Sequence, residues 1–194
     1  MKTRTAAAVI CLFLINTSSA LTDSFRFVFH SQGFITPRQN VYYHVFQFTN
    51  PESTVFLLGP MKRWNIDNSV VRGLIWFKAD TDGNRWSGIG FWPTIPLAER
   101  VSVTLDSRYL IGLGNTSDQL QLIPWLDYAL DKRNTFRLQA SLTENLGDGI
   151  AQRWYLGPYW IYELTDNMQF RLGYQRGLEG RPERRLVLAL NFNL

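Results

Sequence analysis

The sequence predicts an all-β chain, an antiparallel up-and-down meander that closes into a transmembrane β-barrel of ten strands, with eight or twelve as alternatives. Three observations predict it. Apolar and polar residues alternate with period two over most of the chain past residue 21, and no stretch there keeps a helical period. The alternating segments run roughly 10–13 residues, longer than soluble strands and close to the span of a tilted membrane strand. Their apolar faces are nearly uninterrupted, while the opposite faces carry Arg, Gln, Asp, Glu, Asn, Ser and Gly.

The clearest strand is 185–194. Leu186, Leu188, Leu190, Phe192 and Leu194 share one face, against Arg185, Val187, Ala189, Asn191 and Asn193. The same pattern covers 168–176, 152–164, 134–143, 119–130 and 101–113, and more weakly 86–95 and 70–79. Tight turns are expected at 131–134, 165–167 and 96–99. Longer Gly-containing loops are expected at 80–84, 114–118, 145–149 and 177–182. The two sets alternate along the chain, as connections at opposite ends of a meander do. In the N-terminal third, 25–29 and 41–49 read as strands, and 54–63 as a strand or a packed connection. Pro124 and Pro158 fall on apolar faces in mid-strand and predict local irregularity, since proline brings no ladder donor.

The composition fits this pattern. Phe, Tyr and Trp make 14% of the 194 residues, and charged residues only 19%, against about 25% in soluble domains. Mean hydropathy is nevertheless −0.14. Disorder is excluded by the aromatic content. A helical membrane protein is excluded because no run approaches the ~20 apolar residues a spanning helix needs.

Residues 1–20 read as a cleaved secretory leader. Lys2 and Arg4 precede the apolar run Ala6–Ile15, and Ser18, Ser19 and Ala20 supply the small cleavage residues. Residues 21–194 then form one barrel domain. The single cysteine, Cys11, leaves with the leader, which excludes disulfides, thiolate zinc and a cysteine nucleophile from the mature chain. Lys2 and Arg4 leave too, so 18 basic residues face 16 acidic ones. They are not clustered, and no nucleic-acid footprint results.

With its leader, its cysteine-free mature chain, its hairpin meander and its terminal Leu186-x-Leu-x-Leu-x-Phe-x-Leu194 pattern, the chain resembles bacterial outer-membrane β-barrel proteins. The resemblance is to that architectural class and covers 21–194. It implies an outer-membrane location, both termini on the periplasmic side and therefore an even strand count. It also implies that Leu186, Leu188, Leu190, Phe192 and Leu194 form the signal read by the barrel-assembly machinery, although the final residue in that class is usually aromatic. Outer-membrane lipids and lipopolysaccharide are the implied surroundings, with Arg85, Arg176, Arg181 and Arg184 at the loop end as candidate phosphate contacts.

On the inward faces the register places Arg26, Arg72, Lys78, Arg108, Arg137, Arg153, Arg171 and Arg185, against Asp106, Asp127 and Glu163. Two readings follow: a solid interior of ion pairs, or a narrow, anion-favouring path. Inward Gly112, Gly157 and Gly173 suggest space. The leading function is a structural or narrow pore-like barrel for small, anionic solutes, alone or within an envelope assembly, without cofactor or metal. An alternative is a lipid-modifying acyltransferase or hydrolase using His30 or His44, with Ser31 or the Asp106-Ser107 pair nearby in sequence. Alternation places Asp106 and Ser107 on opposite faces of their strand. A third reading is a soluble periplasmic lipid-binding β protein.

Overall fold

The structure is a computed structural model that describes residues 25–35, 41–50, 53–147, 152–178 and 183–193. The leader at 1–20 and Leu194 lie outside these residues, as does Arg181. Eleven strands follow one another: β1 (Phe25–Ile35), β2 (Val41–Asn50), β3 (Ser53–Ile66), β4 (Ser69–Asp80), β5 (Arg85–Ala98), β6 (Val101–Gly112), β7 (Asp118–Ala129), β8 (Asn134–Leu146), β9 (Gln152–Thr165), β10 (Met168–Gly177) and β11 (Arg184–Asn193). Each pairs with its chain neighbours, and β1 pairs with β11 to close the barrel.

The expected ten strands are therefore eleven. All three N-terminal segments enter the sheet, and 54–63, which reads from sequence as a strand or a connection, is part of β3. An odd meander can close only if its first and last strands run the same way. They do: β1 lies parallel to β11, with Phe25 beside Arg184 and Phe34 beside Asn193. All other pairs are antiparallel. The chain termini themselves, expected on the periplasmic side, lie outside the described residues. β1 begins at the longer-loop mouth and β11 ends at the short-turn mouth. Closure itself follows from backbone chemistry, because an open edge in lipid leaves donors and acceptors unpaired.

The faces separate sharply. In β4, Ile75 is 62% exposed while its neighbour Trp76 is 2% exposed. Phe77, Ile89, Phe91, Leu105, Ile111, Leu126, Tyr128, Leu138 and Leu156 are likewise exposed on the outer face. A soluble lipid binder would carry the opposite arrangement, so that reading is set aside. Aromatic rings mark strand ends on the outer face. Trp154 stands near the longer loops, and Trp160 and Tyr162 pack at 5.7 Å near the short turns. Trp160 Nε1 donates to Asn134 Oδ1 at 3.0 Å. Rings with a polar tip suit a boundary between apolar and wet surroundings.

The connections use turn chemistry. Asp131 accepts from the backbone N–H groups of Arg133 (2.8 Å) and Asn134 (2.9 Å), tying the β7–β8 turn. Asp80 does the same at the other mouth, for Asp82 and Asn84, both at 3.0 Å. Asp67 turns the β3–β4 hairpin at φ 51°, a left-handed value that Asp tolerates. The turn expected at 96–99 falls later, because β5 continues through Pro96 and Leu97 to Ala98 with a register shift there. The mid-strand prolines open the ladder without moving it. β7 pairs with β8 at Leu122–Leu142 and again, in the same register, at Trp125–Gln139, so the ladder skips Ile123 and Pro124.

Candidate functional site

The barrel interior has two unlike walls. Along β3–β6 it is aromatic and apolar. Leu57, Leu74, Trp76, Trp86, Trp92 and Leu110 form one buried cluster, with Met61 packed on it. Trp76 and Trp92 meet edge to face at 6.5 Å. The Trp76 indole occupies the space beside Gly88 and Gly90, where an added Cβ would come within 2.9 Å and 3.1 Å of its ring. Two glycines on the facing strand thus provide its seat.

Along β7–β11 polar groups are interleaved with apolar ones: Gln119, Gln121, Asp127, Arg137, Gln139, Ser141, Thr143, Glu163, Gln169, Gln175 and Asn191 share the inward parity with the buried Tyr155, Tyr159, Ile161, Val187 and Ala189. Tyr159 is buried here against Val187. Its ring fills the place of a Gly173 side chain. The inward glycines are accordingly not empty space: Gly112 and Gly157 lie hard against the backbone of Thr116 and Tyr174.

Three of the predicted inward cations, Arg108, Arg137 and Arg185, are paired with carboxylates. Arg108 pairs with Asp106, its Nε donating to Oδ1 at 2.8 Å. Its guanidinium stacks 4.7 Å from the Trp76 ring and 5.5 Å from Trp92. Asp106 and Arg108 are two apart on one strand, so alternation delivers them to one face. Arg137 makes a two-pronged pair with Asp127, at 2.7 Å and 2.9 Å, and lies 4.5 Å from the Trp125 ring. Arg185 donates to Glu183 Oε1 and to Tyr155 Oη, both at 2.6 Å, while the Tyr155 hydroxyl donates to Glu183 Oε2 at 2.9 Å. Lys78 Nζ sits 4.0 Å over the Trp86 ring and donates to Gln119 Oε1 at 2.9 Å. Glu163 accepts from Gln169, whose Oε1 accepts from Asn191 at 3.1 Å. The recurring unit is a cation on an aromatic face, held by a carboxylate or an amide. Arg153 and Arg171 share the inward parity and have partners of their own.

One pair of cations is different. Arg72 stands directly across from Arg63 at the short-turn mouth. Arg72 Nη1 donates to Thr94 Oγ1 at 3.3 Å, and Thr94 also accepts from Thr104 at 2.9 Å. Arg63 Nε donates to Asn65 Oδ1 at 3.2 Å. All these acceptors are neutral, and among the described residues neither arginine has a carboxylate partner. Arg63 is absent from the sequence-based set because β3 reads ambiguously; once β3 is a strand, its place opposite Arg72 follows.

The hydrolase candidates are not assembled among the described residues. Asp106 is committed to Arg108, and Ser107 faces outward and donates to the Phe91 carbonyl at 2.9 Å. His30 and Ser31 lie in β1 and His44 in β2; their side chains, and those of Arg26 and Phe192, lie outside the described residues. Leu186, Leu188 and Leu190 occupy the outer face of β11.

No family model matches the chain, and no curated protein matches it. Solved structures do. A KdgM porin superposes with a TM-score of 0.58 at 9% identity, covering 71% of this chain and 76% of that one. A KdgM porin in complex with disordered oligogalacturonate gives 0.59 at 9%, over 72% and 77%. A NanC porin gives 0.61 at 11%, over 78% and 86%. The fold is that of small outer-membrane porins.

Proposed function

We propose that the protein is a narrow outer-membrane pore for small anionic solutes, delivered to the bacterial envelope by the leader at 1–20. The longer loops face outward and the short turns face the periplasm, as is usual for such barrels. The observation that carries this reading is the Arg63–Arg72 pair. Lys78 also has neutral partners only, but it is covered by the Trp86 ring; Arg63 and Arg72 stand side by side with neutral acceptors only, and their positive potential adds at one mouth. The conducting path follows the polar groups of the β7–β11 wall, since the β3–β6 wall is filled with buried rings. The KdgM complex supports an anionic solute, because its oligogalacturonate is a polyanion.

Planar-bilayer recording tests this. The native protein is expected to give steps with anion preference in a salt gradient, and galacturonate is expected to reduce the current. Arg63→Ala with Arg72→Ala is expected to shift the reversal potential toward cation preference while leaving the barrel intact. Absence of steps, or selectivity unchanged in the double variant, overturns the proposal.

A further inference from the structure

At the longer-loop mouth the β6–β7 connection leans into the barrel. The last inward position of β6 is Gly112, directly across from Trp86 of β5, which in turn lies across from Lys78 of β4. A side chain at Gly112 would point into the lumen. The loop backbone takes its place: an added Cβ would come within 1.7 Å of the Thr116 carbonyl oxygen and 2.9 Å of the Ser117 carbonyl carbon. The segment 113–117 therefore folds over the end of its own wall instead of rising away from it.

Strands β4, β5 and β6 all hold it there. The buried Trp86 donates its indole N–H to the Ser117 carbonyl at 3.0 Å. A buried indole N–H needs an acceptor, and the loop supplies it. Lys78 Nζ, 4.0 Å over the same ring, reaches past Gly112 to Gln119 Oε1 at 2.9 Å, just beyond the loop. Asp118 closes the loop base, accepting from the Gly112 N–H at 2.8 Å and from the Tyr109 hydroxyl at 2.7 Å. The Leu113 N–H donates to the Arg85 carbonyl at 2.9 Å. Gly147, just past β8, admits the Ser117 side chain, since an added Cβ there would stand 2.8 Å from Ser117 Oγ. Mobile loops make few such bonds; this one is pinned at both ends and at its inner edge.

We infer that the β6–β7 loop is a fixed lip that limits the size of solute entering from the longer-loop side, and that Trp86 is its positioning residue. The inference rests on the pore reading and adds a division of labour to it. The lip sorts by size at one mouth, and Arg63 and Arg72 sort by charge at the other.

The test places a cysteine in the lumen as a probe, Ser141→Cys, at an inward position of β8. A bulky, membrane-impermeant maleimide applied to intact cells is expected to label it slowly, and a small thiol reagent quickly. Trp86→Phe keeps a ring beneath Lys78 but removes the donor to Ser117. It is expected to speed bulky labelling about fivefold, the effect of one neutral hydrogen bond on the open fraction of the loop. Labelling by the small reagent is expected to stay unchanged. Gly112→Ala, whose methyl claims the place of the Thr116 carbonyl, is expected to act in the same direction through a different contact. A lock separates the loop from the wall: Ser117→Cys with Gly147→Cys, whose Cβ positions lie 3.2 Å apart, within reach of a disulfide. In the Trp86→Phe background without the lumen probe, oxidation is expected to return single-channel conductance to the native level, and reduction to raise it again. Bulky labelling unchanged in both variants overturns the inference. So does equal acceleration of both reagents, or a conductance indifferent to the disulfide, since either puts the effect in the wall and not in the loop. If the native chain gives anion-selective steps and these variants behave like it, this inference fails alone; if the native chain gives no steps, the pore reading fails with it.

Discussion

The two walls of the barrel interior solve the same problem with different chemistry. The β3–β6 wall fills its space with indole rings and leucines and admits one buried ion pair, Asp106–Arg108, between two tryptophans. The β7–β11 wall uses amides, hydroxyls and ion pairs, with Arg137 and Arg185 on single rings. The first wall is a core turned inward, in which stability depends on packing and a stray charge is costly. The second mixes buried Tyr155, Tyr159, Ile161 and Val187 with polar groups such as Arg137 and Asn191, so a group that loses one partner there has other polar groups nearby. The difference divides the cross-section into a supporting half and a permissive half.

The largest expected effect breaks the supporting half. Asp106→Ala leaves Arg108 buried without its carboxylate, and the expected loss of stability is about 3–5 kcal/mol. Adding Arg108→Leu is expected to restore much of it, since an apolar side chain then fills the space between Trp76 and Trp92. Denaturant titration of the folded band in unheated electrophoresis measures both. A double variant as unstable as the single one would contradict the description of this wall as a core.

On the permissive wall the same kind of change is expected to be mild. Tyr155→Phe removes the hydroxyl that donates to Glu183 and accepts from Arg185, and about 1 kcal/mol is expected to go. The Arg185–Glu183 pair remains in place to hold the loop end. The same titration reads it, and a loss as large as that of Asp106→Ala would erase the distinction between the walls.

The smallest effect lies outside both walls, in the β7–β8 turn. The Arg133 N–H, followed by the Asn134 side chain, holds the Asp131 carboxyl below its usual range. A depressed carboxyl stabilises the folded turn above its unfolded value, and that contribution is lost as pH falls through the folded one. Amide exchange at Arg133 and Asn134 is expected to quicken on acidification below the ordinary aspartate range. Asp131→Asn is expected to remove that pH dependence.

Much of this architecture was legible because alternation is a one-residue rule. The inward parity of Arg137 and the outward parity of Leu138 follow from position alone. The pairing of Asp106 with Arg108 was available from the same rule, as a same-face i, i+2 pair on one strand. Other features depend on quantities a single strand does not contain. Arg137 meets Asp127 only through the β7–β8 register. Gly173 looks like space until Tyr159 is known to lie across from it. The strand count went astray at β3, where Gly59-Pro60 interrupts the pattern and conceals both the eleventh strand and Arg63.

The parallel seam between β1 and β11 gives the barrel a polarity that an all-antiparallel ring lacks. A protease site placed just before Phe25 and one placed just after Asn193 are carried to opposite mouths, so each is cut from only one side of a sealed vesicle. The seam also joins the two segments farthest apart in the chain. The first strand therefore waits for the last to be synthesised before its free edge is covered by its partner in this barrel.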